Sequence, residues 1–191
     1  MDLNFENDIA RCLEVLRLGG TILYPTDTVW GIGCDATNAS AVKKIFDIKR
    51  RAESKSMIVL LADPRDINRY VSQPEPFVFE YLQTVVRPTT VIYNGGVGLA
   101  ENLIAADGSI AIRVIKENFC RHLIKRFRKP LVSTSANISG QEAPDHFKRI
   151  APDIRTSVDY VVSYRQSDEE PAQASTVVRF NNRGELQVLR P

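Results

Sequence analysis

Apolar positions in the first segment repeat every three to four residues. Ile9, Leu13 and Leu16, with Cys12 beside them, predict an amphipathic helix over about residues 5–17, stopped by Gly19-Gly20. The pattern then becomes continuous, and TILYP reads as a short buried strand ended by Pro25. In ASAVKKIFDIKRR, Val42, Ile45, Phe46 and Lys49 fall on one helical pattern, with Asn38 or Ser40 as the candidate cap. SMIVLLA reads as a second apolar strand, and Phe79, Leu82 and Val86 form the helical repeat of residues 75–86. TTVIY, SIAIRV, LVST, YVVS, STVVRF and LQVLR are strand-like runs; NFCRHLIKRF is helical, and APDHFKRIAP holds a short helix. NNRG at 181–184 suits a hairpin turn between the last two strands.

Strands and helices alternate early and strands cluster late. That order predicts an α/β fold with a twisted, mixed parallel and antiparallel sheet flanked by helices. No repeat or linker divides the chain, so residues 1–191 are expected to form a single domain. RQSDEEPAQA, residues 165–174, is polar and acidic and reads as an exposed loop.

Composition narrows the function classes. At 43% hydrophobic and 25% charged, the chain can bury a core without disulfides or metals. Cys12, Cys34 and Cys120 are odd in number and far apart, which fits reduced thiols and a cytoplasmic protein. His122 and His146 lie at no metal-ligand spacing with a cysteine. The N-terminus lacks the apolar run of a signal peptide, and no stretch approaches the ~20 apolar residues of a membrane helix. A net charge of +2 is too mild to declare a nucleic-acid binder.

Four polar clusters sit on the apolar strands. In YPTDTVWGIG (24–33), Thr26 and Thr28 flank Asp27 before Gly31 and Gly33; a locally bonded turn and a hydroxyl shelf for a small ligand both fit. In KRRAESKS (49–56), Lys49, Arg50, Arg51 and Lys55 crowd the end of a helix. They suit a solvated last turn, or a phosphate clamp at the sheet edge. In GSIAIRV, Ile110 and Ile112 face one way and Ala111 and Arg113 the other. A buried arginine needs an anion, from the protein or from a ligand. In LVSTSANISG (131–140), Ser133 and Ser135 can share a face with Asn137 following, and five small polar residues exceed one cap. The inventory holds cations, hydroxyls and an amide, with no metal cluster, no GxSxG and no glycine phosphate loop. It suits transfer between bound substrates by positioning and charge neutralisation.

These clusters, in order, resemble the YrdC family of threonylcarbamoyl-AMP synthases. The matching stretches are GGTILYPTDTVWGIGCDA, IKRRAESKSMIVLLA, GSIAIRV, PLVSTSANISG and STVV…VLRP, spanning Gly19 to Pro191. The resemblance implies a YrdC-like sheet with a concave basic face. It implies a nucleotidyltransferase that joins L-threonine and bicarbonate to AMP from ATP with Mg²⁺, releasing pyrophosphate, for N6-threonylcarbamoyladenosine in tRNA. By position it implies Lys49, Arg51 and Lys55 on ATP, with Lys49 and Arg51 catalytic, and Ser109, Ser135, Asn137 and Arg190 on the nucleotide side. Thr28, Arg113, Ser133 and Ser175 would hold threonine. Partners implied are tRNA or double-stranded RNA and other proteins of the threonylcarbamoyl-transfer machinery, with no membrane. Ala52 and Ser56 stand where such sequences often carry proline. The same residues also fit two rival readings: an RNA-binding module on the same face, and a paralogue without synthase activity.

Overall fold

The computed structural model describes residues 5–51, 57–181 and 183–191. Helix α1 (Glu6–Arg17) buries Ile9, Cys12 and Leu16, as the periodicity requires, and also Asp8. The Asp8 carboxylate accepts from Tyr160 Oη (2.6 Å), from Ser163 N–H (2.9 Å) and Oγ (2.8 Å), and from Tyr164 N–H (2.9 Å). These bonds tie the N-terminal helix to a segment some 150 residues later.

Strand β1 (Ile22–Tyr24) is followed by β2 (Gly31–Gly33), which the apolar pattern did not announce. Its glycines make room rather than a turn. A Cβ on Gly33 would lie 2.6 Å from the Tyr24 ring and 2.4 Å from Val132 O. The ring occupies that space, and its hydroxyl donates to Val132 O at 3.1 Å. Helix α2 (Ala39–Lys49) is capped by Asn38, whose Oδ1 accepts from Ala41 N–H at 3.1 Å; Ser40 is already inside the helix.

β3 (Ile58–Leu61) precedes a 3₁₀ turn and the four-residue α3 (Ile67–Tyr70), neither visible as a periodic run. α4 (Pro76–Thr84) ends earlier than its pattern suggested, and Val86 is 88% exposed rather than part of an apolar face. The backbone turns extended at Val85 on its way to Pro88, as chains do near a proline. β4 (Thr89–Tyr93), β5 (Ile110–Val114), α5 (Asn118–Phe127) and β6 (Leu131–Ser135) follow the expected runs. The short helix expected near 143–152 is a single 3₁₀ turn at Phe147–Arg149, with α6 (Pro152–Ser157) after it. β7 (Tyr160–Val161), β8 (Thr176–Phe180) and β9 (Leu186–Arg190) complete the chain.

Among the described residues, nine strands form one sheet in the order β7-β1-β2-β6-β3-β5-β4-β8-β9. β1/β7, β3/β5 and β4/β8 run parallel and the other neighbours antiparallel, so the sheet is mixed as expected. α1 packs on α5, and Phe5, Phe119 and Tyr164 close that layer with ring centroids 5.0–5.9 Å apart. β9 forms one edge of the sheet, opposite β7, and every one of its residues is exposed. The 165–174 loop is exposed, as its composition implied. It is pinned by Ala172 N–H to Asp145 O at 3.3 Å, by Arg165 Nη1 to Thr26 O at 3.1 Å and by a Lys148–Glu169 ion pair.

The Asp8 knot predicts a specific acid sensitivity. Burial alone would raise its pKa, but the four hydrogen bonds outweigh it and hold the carboxyl below the usual aspartate value. The folded pKa is depressed. Its stabilisation is therefore complete above the unfolded value, about 4, and lost as pH falls through the folded one. Asp8→Ala should cost about 3 kcal/mol in urea melts at neutral pH, and Asp8→Asn should flatten the loss of stability below about pH 4.

Candidate functional site

The side chains that alternate away from the helices leave a cavity of about 340 Å³ on the sheet. Its size follows from composition. Gly31, Ala111, Ser133, Ser135 and Ser175 are small, so neighbouring strands supply walls without filling the space between them. Register fixes the charges. Arg113 pairs with Thr90, Thr90 with Val177, and Val177 with Arg190. One row of cross-strand neighbours thus carries a guanidinium at each end.

Arg113 is 3% exposed. Its Nη2 lies 3.3 Å from Asp27 Oδ1, so the protein does supply an anion. The alignment is not that of a hydrogen bond. Among the described residues, Arg113 Nε and Nη2 and Asp27 Oδ1 have no hydrogen-bond partner. Buried donors without acceptors are costly, and they mark where a ligand's acceptors belong. Arg190 donates from Nε and Nη2 to Ser175 O at 3.0 and 2.8 Å. The Ser175 hydroxyl shares a 2.8 Å bond with Thr90 Oγ1. Thr28 Oγ1 is 2.9 Å from Thr26 Oγ1, which also donates to Val29 O at 2.8 Å. Hydroxyls held this way present fixed dipoles to the cavity.

The basic segment divides its labour. Lys49, at the end of α2, is 1% exposed, and its ammonium donates to Ser135 O (2.5 Å) and Asn137 O (2.7 Å). Burial, with the Arg51 charge second, pulls it down to about 8. Arg50 then takes left-handed backbone angles (φ 48°, ψ 46°), while Arg51 N–H returns to Phe46 O at 2.9 Å. This closing turn usually uses glycine. It sends Lys49 behind the cavity and Arg51 into its wall. Burial pulls the Arg51 guanidinium down, and burial followed by the Arg113 charge does the same to Arg190.

The structure therefore brings Thr28, Arg51, Arg113, Ser133, Ser135, Ser175 and Arg190 to one cavity. Lys49 lies behind it. Asn137 turns inward too: its Oδ1 is 2.5 Å from Ser135 Oγ, and its amide donates to Ile138 O (3.1 Å) and Gln141 O (2.7 Å). Ser109 precedes Ala111 by two positions and so shares its strand face, but it lies outside the lining, with its N–H on Asp107 Oδ1 at 2.9 Å. Lys55, like Ala52 and Ser56, lies outside the described residues. Sequence reasoning missed Thr90 and Trp30. Thr90 opens a run read only as an apolar strand. Trp30 lines the cavity with its ring 4.8 Å from Phe147, a pairing no local pattern reveals.

No carboxylate, cysteine or histidine is among the described lining residues. No group of three or more potential metal ligands occurs among the described residues. The polar part of the described lining is three guanidiniums and a set of hydroxyls, which can bind and orient anions. Strain at Arg50 gives a test: Arg50→Gly should raise stability by about 0.5–1 kcal/mol in thermal or denaturant melts, because glycine takes the left-handed turn without a Cβ.

Residues 14–191 match the protein family Sua5/YciO/YrdC, whose description reads "Telomere recombination". A threonylcarbamoyl-AMP synthase of Idiomarina loihiensis is 32% identical over 174 residues, covering 90% of this chain and 91% of that protein. The human threonylcarbamoyl-AMP synthase is 29% identical over 181 residues, covering 92% of this chain and 64% of its own. Among solved structures, P. abyssi Sua5 complexed with L-threonine matches with a TM-score of 0.85 at 22% identity, over 97% of this chain and 54% of that one. This chain thus spans about half the length of that protein. E. coli YciO matches with a TM-score of 0.83 at 21% identity, over 96% and 88%. At these identities the two structures speak to the fold.

Proposed function

Since the chain belongs to the Sua5/YciO/YrdC family, we propose that it is a threonylcarbamoyl-AMP synthase serving tRNA N6-threonylcarbamoyladenosine formation. The observation that carries this reading to the cavity is Arg113, a buried guanidinium with two donor nitrogens unfilled, facing fixed hydroxyls. A threonine carboxylate answers it. Thr28, Ser133 and Ser175 then lie within the same wall for the amino acid's hydroxyl and its carbamate.

The reaction starts from threonine carbamate, formed from L-threonine and bicarbonate with loss of water. A carbamate oxygen attacks the α-phosphorus of ATP, the bond from that phosphorus to the bridging β-oxygen breaks, and pyrophosphate leaves with the electron pair. Two anions must meet, so the barrier is largely electrostatic and positional. Arg51 and Arg190, both in the cavity wall, neutralise the phosphates, and Ser135 orients them. Lys49 acts from behind by holding the Ser135–Asn137 turn. Asn137 fixes Ser135 in the same turn, and Ser109 extends this face toward the nucleoside. Lys55 completes the basic segment. Mg²⁺ bound to the phosphates of ATP would supply charge neutralisation there, and the hydroxyls of the described lining would suit such a nucleotide-borne ion better than a resident metal site.

The deciding experiment measures pyrophosphate from ATP with and without L-threonine and bicarbonate. Release should require both. Valine should support it at least about 100-fold less well, because it leaves buried hydroxyl partners unpaired. Release that ignores the amino acid, or equal rates with valine, would remove the threonine reading. Arg51→Ala should lower turnover at least about 100-fold, roughly 3 kcal/mol of transition-state stabilisation, with an unchanged melting temperature. Normal turnover in that folded variant would displace Arg51 from the phosphates.

A further inference from the structure

A second cavity, about 350 Å³, opens beyond the carboxyl ends of β3 and β5. These two strands are parallel neighbours, and Ile115 N–H reaches Leu61 O at 2.9 Å where they end. Open α/β sheets place ligand crevices outside such strand ends. The walls are of two kinds. Phe79 and Leu82 of α4, with Val114 at the end of β5, make an apolar floor. Arg87, Lys116 and Arg121 make a cationic rim.

Among the described residues, three of the cations around this cavity have no carboxylate partner in an ion pair. Arg65, also on the wall, is paired with Asp63 at 2.7 Å. Arg87 reaches the uncharged Gln173 Oε1 at 3.3 Å, and Lys116 Nζ donates to Val85 O at 2.8 Å. Among the described residues, no ion pair joins Arg87, Lys116 or Arg121 to a carboxylate. Asp27 is the sole carboxylate among the described lining residues; its Oδ1 faces Arg113 of the first cavity and its Oδ2 accepts from the Lys116 backbone N–H at 3.5 Å, not from the ammonium. An apolar floor under a rim of such cations calls for a ligand with both characters.

We propose that this cavity binds a small organic anion: an apolar, ring-sized body on Phe79, Leu82 and Val114, with one anionic head group among Arg87, Lys116 and Arg121. Burial of the body supplies affinity, and the head fixes orientation. The site is distinct from the threonine and ATP cavity and does not depend on the synthase reading.

The test uses the full chain and 8-anilinonaphthalene-1-sulfonate, which joins an aromatic body to a sulfonate. Titration by fluorescence and calorimetry should give one saturable site. Arg121→Glu and Leu82→Trp, the second filling the floor, should each weaken it at least about 10-fold with cooperative thermal melts. Arg190→Ala, in the first cavity, should leave it unchanged. Benzoate and phenyl phosphate should displace the probe, whereas benzyl alcohol and inorganic phosphate at equal concentration should not. Lys116→Glu takes the place of any variant that fails to fold. Undiminished binding in the folded rim and floor variants, loss in Arg190→Ala, or displacement by inorganic phosphate alone would overturn the proposal.

Discussion

The Lys49 ammonium, buried and held by the carbonyls of Ser135 and Asn137, is the contact on which the site's assembly rests. A charge taken out of water costs several kcal/mol unless hydrogen bonds replace its hydration. Those carbonyls do so, and the cost of losing them fixes where α2 must end relative to β6. Ser139 N–H returns a bond to Lys49 O at 2.9 Å, so the two segments hold each other in both directions. From that lock follow the left-handed Arg50, the aim of Arg51 and the position of Ser135. Residues more than eighty positions apart become one wall.

The rest of the cavity is a problem of size solved by the strands. Glycine, alanine and serine on one sheet face leave volume, while Ile112, Val59, Val91 and Val132 on the other face are almost fully buried. The polar face is therefore mounted on a rigid apolar one, and its short side chains have few rotamers to lose on binding. The arginines are the exceptions in length, and Arg113 is the one that is buried. It is tolerated because Asp27 stands near it, yet Asp27 does not fill its donors. The electrostatics are left open on the side where a ligand would sit.

Much of this was legible in the chain, for reasons that differ by element. α1 and α2 carry strong helical periodicity, and the pattern even placed Lys49 on the apolar face with Val42, Ile45 and Phe46, where it is indeed buried. The alternation of Ile110, Ala111, Ile112 and Arg113 assigned faces correctly because a strand's period is two. β2 was not legible: three residues with two glycines look like a turn until Tyr24 is seen to occupy the missing side-chain volume. α3 and α6, four and six residues long, are too short for periodicity to register. For the site, the clusters pointed to the right strands but could not separate Arg51 from Lys49. One residue of left-handed backbone between them decides which reaches the cavity and which lies behind it. Thr90 escaped notice because its hydroxyl bond to Ser175 and its row with Val177 and Arg190 exist only after folding.

The exposed edge strand β9 sets a dynamic condition on all of this. It is paired on one side only, every residue of it is exposed, and it nevertheless delivers Arg190 to the cavity. Strands so placed open locally at much lower free energy than the core. Each opening withdraws one end of the cationic row while Arg113, at the other end, stays locked in the sheet. The cavity is thus part rigid and part provisional, and its affinity for anions that span both guanidiniums is the closed-state affinity scaled by the closed fraction. Such an anion acts as a latch: it adds its binding free energy to the hydrogen bonds of β9, so occupancy and edge order rise together.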